Sequence, residues 1–166
     1  MESYHQLRRK EQEIKDTAEL KAILAKTQYV TVAMCREDEP YLVTLSHGYD
    51  EKHNAIYFHC AFEGKKIDIL KANNRVWGQA IVDRGYVQGK CDHLFSSVQF
   101  SGRVSFVENQ AEKHRALAVM IGQLEREPEQ VMAAQVTDAA LAKTCIGRID
   151  IEYLSGKRSE KAVKTT

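Results

Sequence analysis

The sequence predicts a mostly antiparallel β-barrel of six strands, closed or nearly closed and flanked by helices. Three observations predict it. Short segments alternate apolar and polar residues, as strands with two distinct faces do. Charged or glycine-containing turns join several of them into hairpins. Helical stripes stand at hairpin ends, with one crossover, and do not separate every pair of strands. A doubly wound dinucleotide fold is excluded on the same grounds, because no GxGxxG follows the first strand.

The polar opening MESYHQLRRKEQEIKD leads to Asp16-Thr17-Ala18-Glu19, which has the reciprocal spacing of a capping box. Leu20, Ile23 and Leu24 follow as a helical stripe. Gln28 to Cys35 is β-rich, with Val30, Val32 and Met34 on one face, and Arg36 to Pro40 is a charged turn. Tyr41 to His47 completes a hairpin, with Tyr41, Val43 and Leu45 facing one way and Leu42, Thr44 and Ser46 the other. Asp50 to Asn54 turns into a third strand, in which Ile56, Phe58 and Cys60 alternate with Tyr57, His59 and Ala61.

After Phe62 the period changes, and Ile67, Ile69 and Leu70 form a short helical stripe ended by Asn73-Asn74. Arg75 to Asp83 is a fourth strand, holding the only Trp, Trp77. Arg84 to Phe95 reads as irregular. Ser97 to Val107 is the cleanest strand, with Val98, Phe100, Val104 and Phe106 opposite Gln99, Ser101, Arg103 and Ser105. Asn109 caps a helix to about Glu125, with Leu117, Met120, Ile121 and Leu124 inward. A short helix near 138–143 precedes the last strand, Cys145 to Tyr153. Ser155 onward is a basic tail, expected to be mobile beyond Lys157. One domain, 1–157, with a tail 158–166 is therefore expected.

Composition narrows the function classes. The chain of 166 residues is 43% hydrophobic and 28% charged, ordinary for a globular domain. A net charge of +1 provides no field to recruit nucleic acid or an acidic membrane. No apolar run reaches membrane-spanning length and no signal peptide opens the chain, so a cytoplasmic location is expected. Cys35, Cys60, Cys91 and Cys145 form no CxxC pair and read as reduced thiols. No metal site is expected, since His59-Cys60 and Cys91-Asp92-His93 place neighbours on opposite strand faces.

Chemistry concentrates at Glu63-Gly64-Lys65-Lys66, between the third strand and the following helix. Lysines in a first helical turn oppose the macrodipole, which favours anions there. Two of them beside a glycine suit a bound anion: free N–H groups, the positive helix end and two ammonium groups would cradle a phosphate. A solvated lysine pair is the bland alternative.

The order and spacing of RRKEQEIKD, PYLVTLSHGYD, IYFHCAFEGKKIDIL, CDHLFSSVQFSGRVSFVENQAEKHRAL and IDIEYLSGKR resemble the pyridoxamine 5′-phosphate oxidase-like FMN-binding split barrels. Within them the chain is most similar to the nitroimidazole-resistance (Nim-type) branch, over about Arg8 to Lys157. The resemblance implies a six-stranded split barrel and a homodimer with FMN in a groove between two chains. It implies that Val43, Thr44, Leu45 and Ser46 run beside the flavin ring, and that Phe58, His59 and Cys60 line the ring and ribityl region. Lys65 and Lys66 would hold the phosphate, while Ser97, Val98, Gly156 and Lys157 would reach the site from a neighbouring strand or the partner. The implied activity is an FMN-dependent oxidoreductase passing electrons to a small nitroaromatic-like acceptor, with His59 positioning or protonating it.

Departures from the branch fall on the substrate side: Thr44 stands where Pro is frequent, and His93 where Trp-bearing patterns follow Cys91-Asp92. The ending GKRSEKAVKTT has no His, so oxidation of pyridoxamine phosphate itself is not expected. A second reading, from another class, is a flavin- or haem-binding carrier or sensor without turnover, with His47, His59 or His93 as axial ligand. His47 and His93 otherwise read as surface residues, Cys60 as core, and Trp77 and Phe100 as core or dimer anchors.

Overall fold

The computed structural model describes residues 7–159. The side chain of Asp16 accepts the Ala18 amide, and α1 (Thr17–Lys26) buries Leu20, Ile23 and Leu24. The cap and stripe read from the sequence therefore both form. β1 (Tyr29–Arg36) and β2 (Glu39–Ser46) make a hairpin whose register, Arg36 opposite Glu39, leaves only Glu37-Asp38 in the turn. Glu37 takes φ 56° there. Pro40 is tolerated because β2 is an edge strand.

β3 (Gly48–Asp50) pairs with β4 (Ala55–Cys60), which leads into α2 (Lys65–Ala72). β5 (Arg75–Val87) and β6 (Asp92–Phe106) form a long hairpin, irregular between Asp83 and Tyr86. Asn109 accepts the Glu112 amide at the start of α3 (Gln110–Leu124). Two short helices, α4 (Pro128–Gln135) and α5 (Asp138–Lys143), then precede β7 (Cys145–Ser159).

The seven strands run in the order β2-β1-β5-β6-β7-β4-β3, and every neighbouring pair is antiparallel. β2 and β3 end the hydrogen-bonded order without pairing to each other, so the barrel is split. The inner face holds the main core, including Val30, Val32, Phe58, Val98, Phe100 and Ile149, with α1 and α2 contributing Leu24, Ile69 and Leu70. A second cluster, Tyr57, Val107, Ala116, Met120 and Ile146, fixes α3 to the opposite face of β4 and β7. Ahead of α1, Ile14 donates its amide to Gly156 and Glu13 bridges to Lys157, laying the N-terminal segment against the end of β7.

Four expectations are corrected. There are seven strands where six were expected, because β3 has three residues, too few to display alternation. The stretch 84–95 is mostly strand: a bulge with Gly85 at φ 93° breaks the period while the ladder resumes at Tyr86 and His93. The last strand runs past Tyr153 to Ser159, so Arg158 and Ser159, assigned to the tail, pair with Ser96 and Phe95. Residues 160–166 of that tail lie outside the described residues. His47, read as a surface residue, is fully buried. Among the described residues no helix is long and apolar enough to cross a membrane.

Candidate functional site

The sequence places Gly64 where the chain turns from β4 into α2, and it adopts φ 122°, a conformation that side chains disfavour. The Gly64 carbonyl accepts the amides of Ile67 and Asp68 at 2.8 and 3.1 Å. That leaves the Lys65 and Lys66 amides outside the helix's own bonding, and no side chain caps them. The two lysines differ. Lys65 Nζ donates to Glu39 Oε1 at 2.8 Å and lies 4.9 Å from the centre of the Tyr41 ring. This hydrogen bond, reinforced by the lysine's charge, lowers the Glu39 carboxyl below its ordinary range. Lys66 Nζ lies 5.6 Å from the centre of the Phe58 ring. It has no carboxylate partner among the described residues. An unpaired ammonium, open amides and the positive end of α2 fit a phosphate.

β4 sorts its residues by face. Phe58 is 1% exposed in the main core, whereas Tyr57 points the other way under α3. His59 shares the Tyr57 face but lies beyond the helix and is exposed. Cys60, on the Phe58 face, is half-buried and packs against the core. The same sorting acts on β2: Val43 and Leu45 pack on the core, while Thr44 and Ser46 are exposed outside. The Thr44 hydroxyl meets that of Thr31 at 3.2 Å. Val98 is fully buried and Ser97 nearly so. Side chains of Phe58 and Val98 thus belong to the core, and only backbone at those positions remains for a ligand.

The expected residues form two groups on one chain. Ser97 pairs with Lys157 and Val98 with Gly156. Lys157, over the Phe95 ring, lines a basic cleft with Arg8, Arg9 and His93. The lysine-headed turn lies elsewhere, since Cys60 pairs with Cys145 at the other end of β7. Twelve residues of β7 separate Cys145 from Lys157, a contour of about 40 Å. The two groups therefore lie toward opposite ends of one strand.

The sequence matches the model of the family described as pyridoxamine 5′-phosphate oxidase over residues 16–158. The chain belongs to that family. No curated protein matches the sequence significantly. Among solved structures, a candidate 5-nitroimidazole antibiotic resistance protein from Bacteroides thetaiotaomicron is 23% identical, with TM-score 0.74 over 89% of this chain and 90% of that one. The flavocytochrome Anf3 from Azotobacter vinelandii is 18% identical, with TM-score 0.80 over 97% of this chain and 75% of its own. An FAD- and haem-binding protein from Mycobacterium smegmatis is 16% identical, with TM-score 0.71 over 90% and 74%. At these identities the likeness is one of fold.

Beyond the residues foreseen, this member of the pyridoxamine 5′-phosphate oxidase family carries an apolar outer face on β2, β1, β5 and β6. Thr31, Ala33, Leu42, Trp77, Gln79, Ile81 and Gln99 line a shallow cleft there, with Leu42 62% and Ile81 52% exposed. Alternation had set Leu42 opposite Val43 and Gln99 opposite Val98, but only the strand order brings the two to one cleft. The polar network beneath α3 was also not foreseen. Tyr57 donates to Glu112 at 2.9 Å, and Arg148 pairs with the same carboxylate at 2.7 Å. Burial raises the Glu112 carboxyl, yet the Arg148 and Tyr57 hydrogen bonds outweigh it and hold the group ionised. Tyr57, Glu112 and Arg148 come from three elements far apart in sequence, β4, α3 and β7, so no local motif announces the network.

Proposed function

We propose that this chain is a homodimeric flavoprotein that binds FMN in a groove between two copies and passes electrons to a small nitroaromatic-like acceptor. The observation that carries the reading is the start of α2: the Lys66 ammonium, with no carboxylate partner among the described residues, beside open amides. Lys66 and those amides would hold the phosphate, with Lys65 secondary because Glu39 already occupies it. Once bound, the flavin supplies the electron transfer. Thr44 and Ser46 present hydroxyls on the outer face of β2. His59 offers an imidazole to orient or protonate the acceptor. Lys157 and the backbone of Ser97 and Gly156 would be contributed by the other copy, given their distance along β7. The exposed Leu42, Trp77 and Ile81 provide an apolar surface for that copy.

Titration of FMN into apo protein, followed by flavin fluorescence, tests the phosphate assignment. Lys66→Ala removes a charge-assisted contact of about 1.5–3 kcal/mol, so affinity should fall at least about tenfold. Lys65→Ala should cost less. Unchanged affinity in the double variant would refute the phosphate site.

A second reading, a haem-binding carrier, is favoured by one observation about the three candidate axial histidines. His47 is buried against Leu24, and His93 is paired with Asp83 at 2.8 Å. His59 alone of the three is exposed with no side-chain hydrogen bond or ion pair among the described residues. A sharp Soret band on adding haemin, absent in His59→Ala, would favour this reading over the flavin one.

A further inference from the structure

We propose that Cys60 and Cys145 form a reversible dithiol–disulfide pair across β4 and β7, closed by hydroperoxides. The two residues are direct register partners on neighbouring antiparallel strands. Directly opposed residues put their side chains on the same face, with Cα atoms about 4.5 or 5.5 Å apart. Both spacings lie inside the disulfide range of about 4.4–6.8 Å. The two side chains therefore stand on the same face of adjacent strands. Both are free thiols, Cys145 buried and Cys60 half-open. The other two cysteines have no such arrangement: Cys35 donates to the Glu37 carbonyl, and Cys91 sits exposed in the β5–β6 turn.

The chemistry balances in two steps. The half-open Cys60 sulfur attacks the terminal oxygen of a hydroperoxide, giving a sulfenic acid and releasing an alcohol (water, from hydrogen peroxide). The Cys145 thiol then displaces water from that sulfur and the S–S bond forms. Two thiols lose two electrons in total, and one peroxide bond takes them up. Burial first, then the neighbouring Cys145 thiol, push the Cys60 thiol up to about 12, against the opposing charge of Lys66. The Cys60 thiol therefore stays protonated and reacts more slowly than an ordinary exposed thiol. Cys60 ends β4 just before the turn into α2, so closure ties that turn's base to β7. The pairing stands on strand register and does not depend on flavin binding.

The test uses the full-length chain carrying Cys35→Ser and Cys91→Ser, which leaves only this pair. After hydrogen peroxide, intact mass should fall by two hydrogen atoms, titratable thiols should fall from two to none, and dithiothreitol should restore both. A peptide map should link the Cys60 and Cys145 peptides. Adding Cys60→Ser, at the less buried position, should abolish the mass loss while keeping the far-ultraviolet spectrum folded. Mass gain by oxygen atoms on the pair, or two persisting thiols in folded protein, would overturn the proposal. So would an intermolecular link between Cys60 residues.

Discussion

His47 shows how one residue's environment sets its chemistry. Its Nε2 lies 3.0 Å from the Leu24 carbonyl, which also receives Gln123 Nε2 at 3.1 Å. Burial lowers its pKa from the ordinary 6.5, against the raising effect of the backbone bonds to Leu24 and Gln28. The unfolded chain therefore takes up the proton first as pH falls. Stability from a neutral His47 is complete above about 6.5 and is lost progressively below it. Urea midpoints should drop between pH 7 and 5, and His47→Gln should show a shallower drop. At pH 7 that variant should lose only about 1 kcal/mol, since Leu24 keeps its Gln123 donor. His59, one of the few candidate residues with an open ring, carries the opposite expectation. His59→Ala should leave FMN affinity intact and slow reduction of a nitroaromatic acceptor by about 10²–10⁴-fold, the range for a lost general acid. Stopped-flow rates equal to the parent's would return it to a plain groove-lining histidine.

At the scale of elements, two cross-strand pairs hold the barrel by the same device. Phe58 lies opposite Gly147, and Phe100 opposite Gly78. In each, a Cβ added to the glycine would run into the facing aromatic ring. The ring covers the glycine, and burying Phe58 and Phe100 there fixes the registers of β4 with β7 and of β5 with β6. Gly147→Ala should cost about 1–3 kcal/mol in urea denaturation through overpacking. A neutral result would mean that the ring relaxes freely. Periodicity alone assigned most of these elements: α1, β1, β2, β4, α2 and the core of β6 lie within a few residues of their expected bounds. It failed for β3, too short to alternate, and for the ends of β5 and β6, where Gly85 breaks the pattern. It also missed α4, whose half-buried Val131 and Met132 make a face too narrow to read.

For the whole molecule, the outer face of β2, β1, β5 and β6 is the feature one chain leaves unresolved. Tyr29, Leu42, Trp77 and Ile81 are all at least 40% exposed, more apolar surface than an isolated barrel gains from showing water. In the proposed homodimer a two-fold partner would cover this face. Sedimentation equilibrium at micromolar protein should give about twice 18.9 kDa. Leu42→Asp, which buries a charge in the interface, should return the monomer mass and weaken FMN binding together. A monomeric parent that binds FMN tightly would remove the shared groove.

The sequence by itself determined the local structure and one chemical fact. Alternation, caps and turn residues are encoded within a few residues of each other, and so is a glycine-lysine-lysine start on a helix following a strand. Short-range sterics and hydrogen bonds suffice for those. The tertiary structure decided what depends on neighbours far away in the chain. It paired Lys65 with Glu39 and left Lys66 open, buried His47 against α1 and Gln123, and opposed Cys60 to Cys145. It also set the lysine turn and Lys157 at opposite ends of β7. Such relations depend on which strands become neighbours, and burial of the two apolar faces of one sheet, summed over the whole chain, selects that order.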